Sequence, residues 1–211
     1  MSTSLGQLHK SLEYYQLSPS ISLPLLRIPS SLPNMLAIKY LIVYVPATLA
    51  LFSRRDFGII VNDLVSIDNK VKSLTTTIQN WSSANSLGII GAAPILAAST
   101  ALESAARAAT THATQSPQLT EEQSNNLGIL INTLKTDTLT LLNAMKAKKT
   151  DFTNVGALPI VRNSIVSLTA AQDAYSTALI NITPSVNKPE GEQDKADFDA
   201  FFADAAQYYS S

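Results

Sequence analysis

Residues 56–81 read Asp56-Phe57-Gly58-Ile59-Ile60-Val61-Asn62-Asp63-Leu64-Val65-Ser66-Ile67-Asp68-Asn69-Lys70-Val71-Lys72-Ser73-Leu74-Thr75-Thr76-Thr77-Ile78-Gln79-Asn80-Trp81. Phe57, Ile60, Leu64, Ile67, Val71, Leu74, Ile78 and Trp81 recur at alternating steps of three and four. That spacing draws one apolar stripe along an α-helix, sustained for about seven turns, or about 37 Å at 1.5 Å per residue. Asp56 stands where an N-cap belongs. The opposite face carries Asn62, Asp63, Asp68, Asn69, Lys70, Lys72 and Ser73.

The same period continues toward the C-terminus. Asn85 to Gly91 reads as a connection, and a second helix starts near Pro94, which a first turn tolerates. Its stripe is Ile95, Ala98, Leu102, Ala105, Ala109 and His112, and Pro117 stops it. Thr120-Glu121-Glu122-Gln123 is a capping box for a third helix. That helix carries Leu127, Ile131, Leu134, Thr138, Leu141 and Met145, widened by Leu130 and Leu142, and ends in Lys146, Lys148 and Lys149. Cations there suit the negative end of the helix dipole. After Phe152 and Gly156 a fourth helix carries Leu158, Val161, Ile165, Leu168, Gln172, Tyr175, Leu179 and Ile182. Pro184 and Pro189 bracket a polar loop, and a short fifth helix follows with Phe198, Phe201, Phe202, Ala205 and Tyr208. The expectation is an all-α antiparallel bundle of about five amphipathic helices, with crossing angles of about 20°.

Composition agrees. Of 211 residues, 45% are hydrophobic, 15% are charged and only 7 are Gly, which favours helices over a sandwich or barrel. There is no Cys, which removes thiol catalysis, disulfides and Cys-based zinc sites together. The net charge of −1 hides an asymmetry: residues 1–55 hold Lys10, Arg27, Lys39, Arg54 and Arg55 against Glu13 alone, leaving 10 of the 15 basic and 15 of the 16 acidic residues to the rest. An acidic body argues against nucleic acid and against docking on anionic lipid.

The N-terminal segment reads as an address. Residues 40–52 are an apolar run of 13 preceded by Lys39, and Thr48-Leu49-Ala50 offers small residues for cleavage after Ala50. These are the parts of a secretory signal peptide over residues 35–50. The run is short for a membrane span, and Pro46 interrupts it. Residues 1–34 are Ser/Pro/Leu-rich without helical period and are expected to be disordered or an upstream extension. Residues 51–55, with Arg54-Arg55, form a possible short pro-segment, and the mature domain is expected over 56–211.

No catalytic residue is expected. His9 falls in the leader, and His112 has no second His or Cys with which to share a metal. No nucleophile elbow, phosphate-binding Gly loop or H-E-x-x-H occurs. The acids from Glu190 to Asp204 read as the solvated face of the last helix, and no cofactor or metal is implied. Asn80-Trp81-Ser82 and Asn181-Ile182-Thr183 are N-glycosylation sequons, and Thr75, Thr76 and Thr77 are candidate O-glycan acceptors. Thr138 and Gln172 interrupt apolar stripes. A buried amide without a partner costs roughly 1–3 kcal/mol, so each is either satisfied internally or bonds the polar head of an apolar ligand.

Arg54-Arg55-Asp56, Val61-Asn62-Asp63-Leu64, Ile67-Asp68-Asn69-Lys70-Val71 and Leu74 resemble the start of the fungal hydrophobic surface-binding protein A family, which includes cell-wall galactomannoproteins. Ala147-Lys148-Lys149-Thr150-Asp151-Phe152 with Gly156, then Thr169-Ala170-Ala171-Gln172 and Ala178-Leu179-Ile180, extend the resemblance over roughly residues 54–210. The resemblance implies a secreted or wall protein that adsorbs to hydrophobic surfaces or captures fatty acids, with cell-wall polysaccharide a further possible partner. It implies no catalytic residue. The C-terminal Gln207-Tyr208-Tyr209-Ser210-Ser211 is not a hydrophobic anchor signal, which favours a freely secreted form. Apolar ligand contacts are expected from Leu64, Ile67, Val71, Leu74, Leu134, Thr138, Leu141, Met145, Val161, Ile165, Leu168, Gln172, Tyr175, Phe198 and Phe201. The alternative is a structural wall mannoprotein without a specific ligand.

Overall fold

The computed structural model describes the backbone of residues 34–85 and 88–210, and side chains over 56–84 and 88–210. The expectations for residues 1–33, and for the side chains of the apolar run 40–52 and of Arg54-Arg55, fall outside these residues. The chain divides into two compact units, Met1–Tyr44 and Val45–Ser211; the description below concerns the second.

Among the described residues there are six helices: α1 (Asn34–Asn80), α2 (Ala93–Gln115), α3 (Glu121–Ala147), α4 (Lys149–Asn154), α5 (Leu158–Ile182) and α6 (Lys188–Ser210). Two 3-10 turns, Ser83–Asn85 and Gly88–Ala92, join α1 to α2. No strand occurs among the described residues. α5 packs against α2 on one side and α6 on the other, and α6 also packs against α3.

The stripe of α1 is the backbone of the core: Ile60, Leu64, Ile67, Val71, Leu74 and Ile78 are all buried, with Phe57 and Trp81 partly buried against them. Burying one such side chain contributes about 1.5–3 kcal/mol, so the stripe alone outweighs any single polar contact in the molecule. α2 buries Ile95, Ser99, Leu102, Ala106, Ala109 and Ala113. Its inward face is therefore turned by one position relative to Ala98, Ala105 and His112; His112 lies outside, bonded through Nδ1 to Asp63 at 2.9 Å.

Local signals set most of the boundaries. Thr120 Oγ1 accepts from the Gln123 N–H at 3.2 Å, and the Thr120 N–H donates to Gln123 Oε1 at 2.9 Å, so the capping box is complete. α4 ends in a Schellman motif: the Ala157 N–H reaches the Phe152 carbonyl at 2.8 Å and the Gly156 N–H that of Thr153 at 3.0 Å. Gly156 sits there at φ 73°, where a side chain would be strained.

Several expectations are corrected. Asp56 is not an N-cap, because α1 runs unbroken through Pro46 and Asp56. A capping preference of about 1 kcal/mol does not stop a helix whose neighbours on both sides are helical. Pro189 is not in a loop but in the first turn of α6, where its missing N–H costs nothing, so the last helix is 23 residues long rather than short. Its inner face is Asp194, Phe198, Phe202, Ala205 and Tyr209; Phe201 is half-buried and Tyr208 exposed. The acids of this helix are not uniformly solvated either. Asp194 is buried and accepts from Lys135 Nζ at 2.6 Å. Thr75 is likewise unsuited to carry sugar, since it is buried and bonds the Val71 carbonyl at 2.8 Å.

Candidate functional site

The expected contact residues divide by position. Leu64 on α1, Leu134 on α3, Gln172 and Tyr175 on α5 and Phe198 on α6 meet around one partly open cleft of about 40 Å³. Leu74, Met145 and Val161 meet around a second of about 10 Å³, closed by Ala92, Ile95 and Phe152. Ile67, Val71, Thr138, Leu141, Ile165 and Leu168 are buried in the continuous core without lining either cleft. Phe201 packs against that core from its edge, 6.4 Å from the Phe198 ring centroid.

The larger cleft holds the polar corner of the bundle. Gln172, Tyr175, Ser176 and Leu179 share one face of α5, as positions i, i+3, i+4 and i+7 must. Gln172 Nε2 donates to Ser176 Oγ at 2.7 Å. The Tyr175 hydroxyl has no hydrogen-bond partner, although its residue is only 1% exposed. A buried hydroxyl left unpaired costs about 1–3 kcal/mol, so this group has a hydrogen bond to offer whatever enters the cleft. Burial pushes the phenol pKa up, and the nearby Asp63 carboxylate pushes it further the same way; the group is a neutral hydrogen-bond donor.

α6 forms the outer wall. Gly191 faces α5, where a Cβ would make ordinary contact with Ile180 Cγ1 at 3.4 Å. Ion pairs hold it in place. Lys135 reaches Asp194 at 2.6 Å and Asp197 at 3.0 Å, Lys195 pairs with Asp173 and with Asp199 at 2.8 Å, and Lys146 pairs with Asp204. At 40 Å³ the cleft has room for a couple of waters, far below the about 300 Å³ of an ordinary small-molecule site. The bundle interior is filled apart from these small clefts.

Sequence reasoning missed Ser176 and the α6 residues Gly191, Asp194 and Lys195 as lining groups. Ser176 carried a signal, standing four residues beyond Gln172. The α6 residues carried none, because a helix of such acidic composition shows no apolar stripe over its first two turns. Among the described residues no group of three or more His, Asp or Glu side chains is placed to hold a metal ion.

The class defined by these features is an all-α bundle with a largely apolar interior and a polar corner between α5 and α6. The chain belongs to the hydrophobic surface binding protein A family, whose sequence pattern matches residues 58–181. Its fold is similar to that of Afmp4p, solved in complex with palmitic acid: TM-score 0.69, 26% identity, covering 72% of this chain and 99% of that one. It is also similar to ligand-binding domain 1 of the Penicillium marneffei MP1 protein, solved with arachidonic acids, at TM-score 0.69 and 16% identity over 74% of this chain and 99% of the other. Domain 2 of the same protein, with multiple arachidonic acids, gives 0.65 and 16% over 71% and 93%. At 16% identity these last two speak to the fold alone. No curated protein matches the chain by sequence.

Proposed function

We propose that this protein binds single-chain lipids of the fatty-acid type between α1, α3, α5 and α6. The tail lies among Leu64, Leu134, Leu179 and Phe198, and the head at Gln172, Tyr175 and Ser176. The observation that carries this reading is the buried, unpartnered Tyr175 hydroxyl at a cleft whose other walls are largely Leu, Ile and Phe side chains. The palmitic acid bound by Afmp4p, on a bundle 26% identical, supports the same ligand class. Entry requires the small cleft to widen. α6 is the element to move, since it is tied by ion pairs while α1 is locked by its apolar stripe. A longer tail then extends along Ile67, Val71, Leu74, Thr138, Leu141, Met145, Val161, Ile165 and Leu168. Native mass spectrometry of delipidated protein after re-addition of palmitic acid tests this. Stoichiometric retention, weakened or altered by Gln172→Leu, is expected; no retained lipid sinks the proposal.

A second reading is adsorption to hydrophobic surfaces, and one observation favours it. From Ser73 to Leu102 the chain has no ionisable residue. The exposed Ile89, Ile90 and Leu96 project at the end of the bundle that this span forms, Ile90 being 73% exposed. Retention on alkyl-coated beads without any lipid uptake would favour this reading over the first. Failure of both would leave a structural wall mannoprotein.

The same proposal places the protein outside the cell, free or in the wall, with residues 35–50 as its leader and 51–55 as a pro-segment. N-terminal sequencing of secreted material checks this: a mature chain that retains Ser2 overturns it. Asn80 and Asn181 are both exposed, which suits them as glycan carriers.

A further inference from the structure

We infer that the cleft at Tyr175 selects single-chain lipids with an uncharged polar head, such as a protonated fatty acid or a fatty alcohol, over the ionised carboxylate. This rests on the lipid-binding reading above and names the head group that the site takes. The residues that line the cleft include two charged side chains, Asp194 and Lys195. Each is already matched: Asp194 accepts from Lys135, and Lys195 is held between Asp173 and Asp199. The hydrogen-bonding groups left for a ligand are neutral, namely the Tyr175 hydroxyl and the Gln172–Ser176 pair. A buried carboxylate needs a cation or several strong donors to offset its desolvation, and an uncompensated one shifts its pKa and takes up a proton.

The charges around Tyr175, taken helix by helix, point the same way. α1 offers Asp63, whose partner is His112 of α2. α3 offers Lys135, committed to Asp194 and Asp197. α5 offers Asp173, and α6 offers Asp194, Asp197, Asp199 and Lys195. Carboxylates outnumber cations, and each of these cations is engaged. The Asp63 carboxylate already disfavours negative charge on the Tyr175 oxygen itself. A protonated acid or an alcohol, by contrast, both accepts from the phenol and donates to the Gln172 or Ser176 oxygen.

The experiment is calorimetric titration of the full chain with dodecanoic acid and with dodecan-1-ol between about pH 5 and about pH 8. The alcohol controls for any change in the protein itself, which is common to both ligands. Affinity for the acid is expected to fall about tenfold per pH unit above the carboxyl pKa, as its neutral fraction does. Affinity for the alcohol is expected to stay flat. Tyr175→Phe is expected to weaken both ligands by about five- to tenfold, the size of one lost hydrogen bond. Acid affinity that is constant or rises with pH overturns the inference while leaving lipid binding intact. Undiminished affinity in Tyr175→Phe removes the hydroxyl from the site. Failure of both ligands at every pH removes the lipid-binding reading and this inference together.

Discussion

Two tyrosines on facing helices meet opposite fates. Tyr209 is buried and donates from its hydroxyl to the Met145 carbonyl at 2.5 Å, while Arg162 Nε donates back to the Tyr209 carbonyl at 2.7 Å. Tyr175 is equally buried and bonds nothing. Tyr209→Phe is therefore expected to cost about 1–2 kcal/mol by urea unfolding, because a made bond is lost. Tyr175→Phe is expected to be neutral or to gain up to about 1 kcal/mol, because an unmade one is removed. Equal losses in both variants would contradict the assignment of Tyr175 as a residue held for a ligand. The sequence marks Tyr175 as apolar-face, correctly, but no one-dimensional pattern distinguishes a bonded hydroxyl from an orphan. That difference depends on what the opposite helix presents.

At the scale of elements, α6 is the helix held most by charge. Lys135→Met would leave the buried Asp194 without its cation and is expected to cost about 2–3 kcal/mol. Hydrogen exchange should locate the loss in α6 rather than α1. Partial burial pulls the Lys135 ammonium pKa down, but bonds to Asp194 and Asp197 outweigh it and hold the pKa above the ordinary 10.5. Its bond to Asp173 holds Lys195 high in the same way. The stability these lysines contribute is full below 10.5 and is lost as pH rises through their folded values. The Lys135 bond holds the Asp197 carboxyl below 3.8, and the Ser83 hydroxyl does the same for Asp151. Their contribution is full above that value and lost as pH falls through the lower folded values. Asp68 has the opposite sign, since burial raises its pKa. Melting temperature should therefore plateau between about pH 5 and about pH 10 and fall on either side. The same helix explains where reading the sequence stopped short. α1, α3 and α5 are long, with regular stripes, and are legible. α4 has six residues, too few for a period to be seen, and α6 replaces an apolar position with Asp194, whose partner lies 59 residues away.

For the whole molecule, the two proposed activities occupy different regions and are separable by mutation. Ile90→Lys puts a charge into the exposed apolar group of Ile89, Ile90 and Leu96 and is expected to weaken adsorption to alkyl beads by about tenfold or more, the size of one apolar side chain's burial. It should leave lipid uptake at Tyr175 unchanged; parallel loss of both would show a shared site. The overall bundle was readable because its apolar residues repeat, and the family resemblance followed from the same stripes. The filled interior was not readable, since a filled core and a hollow one require the same periodicity. Trp81, the only tryptophan, stacks on Phe152 at 4.9 Å and donates to the Gly91 carbonyl at 2.8 Å. It lies at the α4 end, about 25 Å along α1 from Leu64 by helix rise. The protein thus carries one built-in fluorophore at the far end from its polar corner. A lipid that parts α6 near Tyr175 would leave that emission dark to the event, whereas one that enters beside α4 would shift it, so an unlabelled sample can report which door was used.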